Sequence, residues 1–185
     1  MTILVILIVI AILIVAIISL YNKLVRLRNT VKSSWSDIDV QLKKRFDLVP
    51  NLVETVKGYA AHEKSVFEKV TQARSMAMQA TSPGEMAKAE NMLRDTLKSL
   101  FAVAEAYPEL KANTNFLQLQ SQLQDLENNI ESARRYYNAV VRDFNTLIES
   151  FPSNLIASQF NFKREEFFQL EAPAEERKPP KVSFS

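Results

Sequence analysis

FLQLQSQLQDLENNIESARRYYNAVVRDFNTLIESF, residues 116–151, is the stretch whose reading decides the fold. Apolar side chains stand at Phe116, Leu119, Leu123, Leu126, Ile130, Ala133, Tyr137, Val140, Phe144, Leu147 and Phe151, always three or four residues apart. Neither Gly nor Pro interrupts them. That spacing lines them up on one stripe of an α-helix, which at ~1.5 Å per residue would run roughly 55 Å. A lone helix cannot bury such a stripe, so the other segments must bring partner faces to it. The expected class is all-α: a single N-terminal transmembrane helix followed by an antiparallel bundle of four helices.

Composition narrows the alternatives. Two glycines and no cysteine leave little material for tight strand turns, disulfides or thiolate metal sites. A formal charge of +2 with 24% charged residues provides no field of the kind that marks a nucleic-acid binder.

Ahead of the spine, residues 3–18 are unbroken Ile, Leu, Val and Ala, extended by Ser19, Leu20 and Tyr21. About 20 such residues match the ~30 Å hydrocarbon core of a bilayer. The start carries no basic side chain and no A-x-A-like exit follows, so residues 1–21 are read as a retained anchor, not a cleaved signal. Lys23, Arg26, Arg28 and Lys32 come next, with no acid until Asp37. The positive-inside rule then puts the body in the cytoplasm and the N-terminus outside. The same four cations are candidates for contact with anionic headgroups.

Residues 22–170 form the expected bundle, with helices at about 22–46, 48–80, 83–107 and 114–151. Leu24, Leu27, Val31, Trp35, Ile38 and Leu42 carry helical spacing straight out of the span. Asp47 and Pro50 favour a tight turn there, although the apolar phase runs on through Phe46, Val49, Val53 and Val56, as it would in one kinked helix. Ser82-Pro83-Gly84-Glu85 signals a helix start closed by a capping box. Pro108 stops that helix by Tyr107, residues 109–112 turn, and Asn113 or Thr114 caps the spine. Phe160, Phe162, Phe167 and Phe168 are expected to lie back over the bundle. Residues 171–185, charged and proline-rich, read as a disordered tail.

The inventory for chemistry is thin. His62-Glu63 opens like H-E-x-x-H, but the fifth position is Val66, and a bundle di-iron site needs two histidines where the chain has one. No cofactor, metal or catalytic residue is expected, and His62 reads as a surface residue of the second helix. A polar stripe beside the spine, Glu127, Glu131, Arg134, Asn138 and Asn145, is the exception. The like-charged pair Glu127 and Glu131 calls for a cation, with Arg134, Arg45 and Arg74 as candidates. The stripe reads either as an inter-helix network that sets helix register or as a groove for a ligand or partner helix.

Several blocks stand out as longer than chance would give: Trp35-x-x-Ile38, Lys44-Arg45-Phe46-Asp47-Leu48-Val49-Pro50-Asn51-Leu52-Val53-Glu54, and Gly58-Tyr59-Ala60-Ala61-His62-Glu63. They continue through Ala73-Arg74, Tyr107-Pro108-Glu109-Leu110-Lys111-Ala112-Asn113, Ala133-Arg134-Arg135-Tyr136-Tyr137-Asn138, Asp143-Phe144-Asn145 and Phe151-Pro152. In these blocks the chain resembles the LemA family of bacterial membrane proteins, nearly end to end. The resemblance implies an N-terminal span, a cytoplasmic antiparallel bundle and a preference for four helices, hence a turn near Pro50. One branch of the family is similar to magnetosome proteins associated with building an intracellular membrane, and no enzymatic activity is established for the family.

The functional expectation is a membrane-anchored, non-enzymatic scaffold whose partners are the lipid bilayer and other membrane proteins or a second copy of itself. The alternative is a regulatory subunit or adaptor of a membrane protease or envelope-stress system. An enzyme built on Glu127 and Glu131 is a third reading, lacking a nucleophile, metal or cofactor motif.

Overall fold

The computed structural model describes residues 1–169. Its elements are α1 (Thr2–Lys57), α2 (Lys64–Gln79), α3 (Pro83–Glu105), the one-turn α4 (Pro108–Lys111), α5 (Thr114–Glu149) and α6 (Ser153–Gln159). No strand occurs among the described residues, so the all-α expectation holds. The expectation for residues 171–185 lies outside the described residues.

The first helix corrects the reading at Pro50. A tight turn was expected at 47–50, but α1 runs unbroken from Thr2 to Lys57 with Pro50 inside it. Proline lacks the N–H that would bond the carbonyl four residues back, which here belongs to Phe46. That carbonyl is not left bare: the Arg74 Nε of α2 donates to it at 2.6 Å. A charged donor from a neighbouring helix thus fills the gap in the ladder, and the apolar phase through Val49, Leu52, Val53 and Val56 stays buried.

The break comes at residues 58–63, after Gly58, a poor helix former. His62 lies in this turn, exposed, and not on the second helix where it was expected. α2 accordingly starts at Lys64, not near residue 48. Residues 108–111, read as turn, close into α4 around a fully buried Leu110.

The chain divides into two compact units, to both of which α1 and α5 supply residues. In the unit Lys43–Asp125, α2 and α3 turn Phe67, Val70, Ala73 and Ala77, and Met86, Leu93, Leu97 and Leu100, into a core. α3 begins as its sequence predicts: Ser82 Oγ accepts from the Glu85 amide at 3.2 Å, and the Glu85 carboxylate accepts from the amide of Ser82. Asn113 caps α5, its Oδ1 accepting from the Phe116 amide at 3.0 Å.

In the unit Met1–Leu42 with Leu126–Phe167, α1 and α5 face one another. Leu24, Val31 and Ile38 of α1 are buried, as are Ile130, Tyr137, Val140 and Phe144 of the spine. The Trp35 and Tyr137 rings meet with centroids 5.3 Å apart. Phe151 departs from the expected stripe and is exposed, because α5 ends at Glu149 and position 151 no longer follows the helical phase. At the other end of the unit, the side chains of residues 3–18 are exposed.

Candidate functional site

The densest polar and aromatic arrangement in the Met1–Leu42 and Leu126–Phe167 unit is where the chain after α6 folds back along α5. The reversal is local chemistry. Asn161 adopts φ 54°, a left-handed conformation that asparagine tolerates better than most residues. The Phe162 amide reaches the Ala157 carbonyl at 2.9 Å and the Asn161 amide the Ser158 carbonyl at 3.2 Å. These two bonds form a Schellman closure of α6.

Phe162 is thereby buried between three side chains. Its ring centroid lies 6.0 Å from that of Tyr21 and 6.4 Å from that of Phe144, and the Arg28 guanidinium carbon sits 4.8 Å from it. Beyond Phe162 the chain runs as a strap without helix. Asn145 holds it with both ends of its amide: Nδ2 donates to the Glu165 carbonyl at 3.0 Å, and Oδ1 accepts from the Glu165 amide at 2.9 Å. The Tyr137 hydroxyl donates to the Glu166 carbonyl at 2.8 Å. Burial, and then the charges of Glu165 and Glu166, push that hydroxyl up to about 12.

The residues nominated from the sequence fall into separate roles. Asn145, from the polar stripe, is the buried clamp of the strap. Glu131 pairs with Arg135 at 3.6 Å on the exposed side of α5, and not with Arg134. Arg134 and Asn138 are half-buried on the same helix, as is Glu127. Of the four juxtamembrane cations, Lys23, Arg26 and Lys32 are exposed, whereas Arg28 turns inward against Phe162. The two earlier candidates do their work in the other unit. Arg45 of α1 meets Glu90 of α3 at 2.8 Å in a pair buried on both sides, and Arg74 serves the Phe46 carbonyl.

Sequence reasoning missed Glu90, Tyr137 as a hydrogen-bond donor, and the α6 turn. Glu90 carried one signal, a charged residue between Ala89 and Leu93 on an otherwise apolar helix face. The stripe periodicity marks Tyr137 only as an apolar position and carries no sign of what its hydroxyl meets.

The Lys43–Asp125 unit holds a cleft of about 110 Å³ between Phe101, Phe116 and Lys111. A shallower groove of about 500 Å³ lies between Val53 of α1 and Phe67 and Thr71 of α2. No group of three or more His, Cys, Asp or Glu side chains that could hold a metal occurs among the described residues. The arrangement organises backbone and packs aromatic rings.

What fold and site define is a helical protein with, among the described residues, one N-terminal helix long and apolar enough to cross a membrane, and a strap after α6 held along α5. The LemA family profile matches residues 34–184. The chain belongs to the LemA family. Protein LemA of Metamycoplasma hominis is 29% identical over 152 residues, spanning 80% of this chain and 68% of the relative. The magnetosome protein MamQ 2 of Paramagnetospirillum magneticum is 27% identical over 180 residues, spanning 83% of this chain and 66% of the relative. Magnetosome protein MamQ of Magnetospirillum gryphiswaldense is 26% identical over the same length and shares. About two thirds of each relative is therefore represented.

Proposed function

We propose that this chain is a membrane-anchored, non-enzymatic scaffold of the LemA type, held in a bacterial inner membrane with its helical body in the cytoplasm. One observation supports it above others: the exposed apolar run at 2–18 continues without a break into the helix that forms part of the packed body. A signal peptide removed near Tyr21 would take with it, or leave as a frayed end, a ring that packs on Phe160 and Phe162. Retention of the span keeps that packing. A helix passing directly from bilayer to body also couples the two stiffly, as holding partners at a fixed place on the membrane requires.

Lys23, Arg26 and Lys32 follow the span on its body side, which supports the cytoplasmic orientation and contact with anionic headgroups. That relatives bear the name magnetosome protein supports, by analogy, organisation of a membrane as the process in which such a scaffold would serve. Its partners would be lipid and either other membrane proteins or further copies of the chain.

The test is in-cell crosslinking followed by purification of the full chain from solubilised membranes. Stoichiometric self-association, or a defined set of membrane proteins retained with lipid, is the expected result. Turnover of a substrate by the purified full chain, abolished by Glu127→Gln or Glu131→Gln, would overturn the reading in favour of an enzyme.

A further inference from the structure

We propose that the segment from Phe151 to Phe160, built around α6, is a second membrane contact that lies in the headgroup region beside the anchor. This rests on reading the apolar run at 2–20 as a membrane span.

The register of the two long helices sets the height of this segment. Trp35 of α1 stands against Tyr137 of α5. Seven residues back along α1 is Arg28, and seven residues on along α5 is Phe144; Phe162 touches both. The two helices are thus antiparallel and in step. Seven residues further, roughly 10 Å along the axis, α1 reaches Tyr21, while α5 ends at Glu149, five residues past Phe144, and gives way to the turn that carries Phe151. Tyr21 closes the apolar run, where a tyrosine belongs at a membrane interface. The Phe160 ring confirms the level independently, with its centroid 4.7 Å from that of Tyr21.

At this height the surface is apolar without being covered. Phe151 is 80% exposed, Leu155 61% and Phe160 51%. α6 is amphipathic over its short length: Ser153 and Ala157, four residues apart, are buried, and Leu155, midway between them, points the other way. Large apolar side chains gathered at one place on a surface mark an interaction site.

Two arguments make lipid the occupant. The patch continues an exposed apolar surface that already has the length of a bilayer, through the Tyr21–Phe160 contact. Its α1 flank is also cationic, with Lys23 and Arg26 exposed; past α6, Lys163 is exposed beside Arg164, which engages Glu149 at 3.0 Å, ahead of Glu165 and Glu166 on the strap. Aromatic and leucine side chains dipping into the acyl boundary, with basic residues at the headgroups, is the arrangement of an interfacial helix.

The chain contains no cysteine, so single labels are easily placed. Leu155→Cys, Phe151→Cys, Ile10→Cys and Ser132→Cys would each carry an environment-sensitive fluorophore. The full chain would be reconstituted in phosphatidylcholine–phosphatidylglycerol vesicles containing acyl-chain nitroxide lipid. Labels at 155 and 151 should be quenched by the nitroxide lipid several-fold more than the label at 132, and shielded from aqueous iodide. Position 10 should be quenched throughout.

Quenching at 10 with none at 151 and 155 would sink this proposal and leave the anchor standing. Absence of quenching at 10 would sink both. Shielding from iodide at 155 without nitroxide quenching would mean that protein, such as a second copy, covers the patch, and would overturn lipid as its occupant.

Discussion

At the Phe46 carbonyl the helix of a proline-containing segment survives because a side chain substitutes for a missing backbone donor. Pro50 removes the i→i−4 bond, and Arg74 Nε replaces it at 2.6 Å. A hydrogen bond from a charged donor contributes about 1.5–3 kcal/mol, so Arg74→Met should destabilise the Lys43–Asp125 unit by that order. In a Pro50→Ala background the backbone amide at position 50 returns, and the same Arg74→Met change should cost clearly less. Chemical denaturation of the four members of this double-mutant cycle measures the coupling. Equal losses in both backgrounds would show that Arg74 does not stand in for the lost amide. The buried Arg45–Glu90 pair is a different case, in which removal of either partner leaves the other charge desolvated.

Among the elements, the strap after α6 and the start of α3 each depend on one ionisable group, and they respond to pH in opposite directions. Tyr137 is buried and donates to the Glu166 carbonyl, and its hydroxyl is raised from 10.0 to about 12. A folded value above the unfolded one means that the contribution is complete below pH 10 and is lost as pH rises through about 12. Tyrosinate absorbance should therefore contain a component titrating near 12, accompanied by release of the amide protection that Asn145 gives Glu165. Tyr137→Phe should abolish that component; its persistence would assign it to another tyrosine.

Glu85 behaves in the opposite sense. The Thr81 amide and hydroxyl and the Ser82 amide donate to its carboxylate and hold it below the ordinary value of 4.5. The capping box is then intact above that value and fails as pH falls through the lower, folded one. Hydrogen exchange at the first turn of α3 should accelerate on acidification through that range. In Glu85→Gln, which cannot titrate, that acceleration should be absent.

For the molecule as a whole, the proposed anchor raises the question of which side of a membrane would hold the body. With Lys23, Arg26, Arg28 and Lys32 following the span and no acid before Asp37, the body is expected inside. A cysteine placed at the exposed Ser132 should resist a membrane-impermeant maleimide in intact cells and react after permeabilisation. Labelling of intact cells would reverse the topology.

Much of this was legible in the residues, for a physical reason. Helical periodicity, a capping box and an unbroken apolar run are local patterns, and local hydrogen bonds and side-chain direction act within a few positions. Hence the all-α class, the spine helix, the α3 start and the long apolar N-terminal helix followed from Phe116, Leu123, Ile130, Phe144, Ser82, Glu85 and residues 3–18 by themselves. What tertiary structure alone decided involves partners far apart in the chain. Pro50 reads locally as a break, and only Arg74, on another helix, lets α1 pass through it. Asn145 of the polar stripe becomes a clamp only because it meets a backbone that returns from residue 165. Sequence spacing sets which side chains share a helix face, but the group waiting opposite each of them is fixed by how the chain folds back.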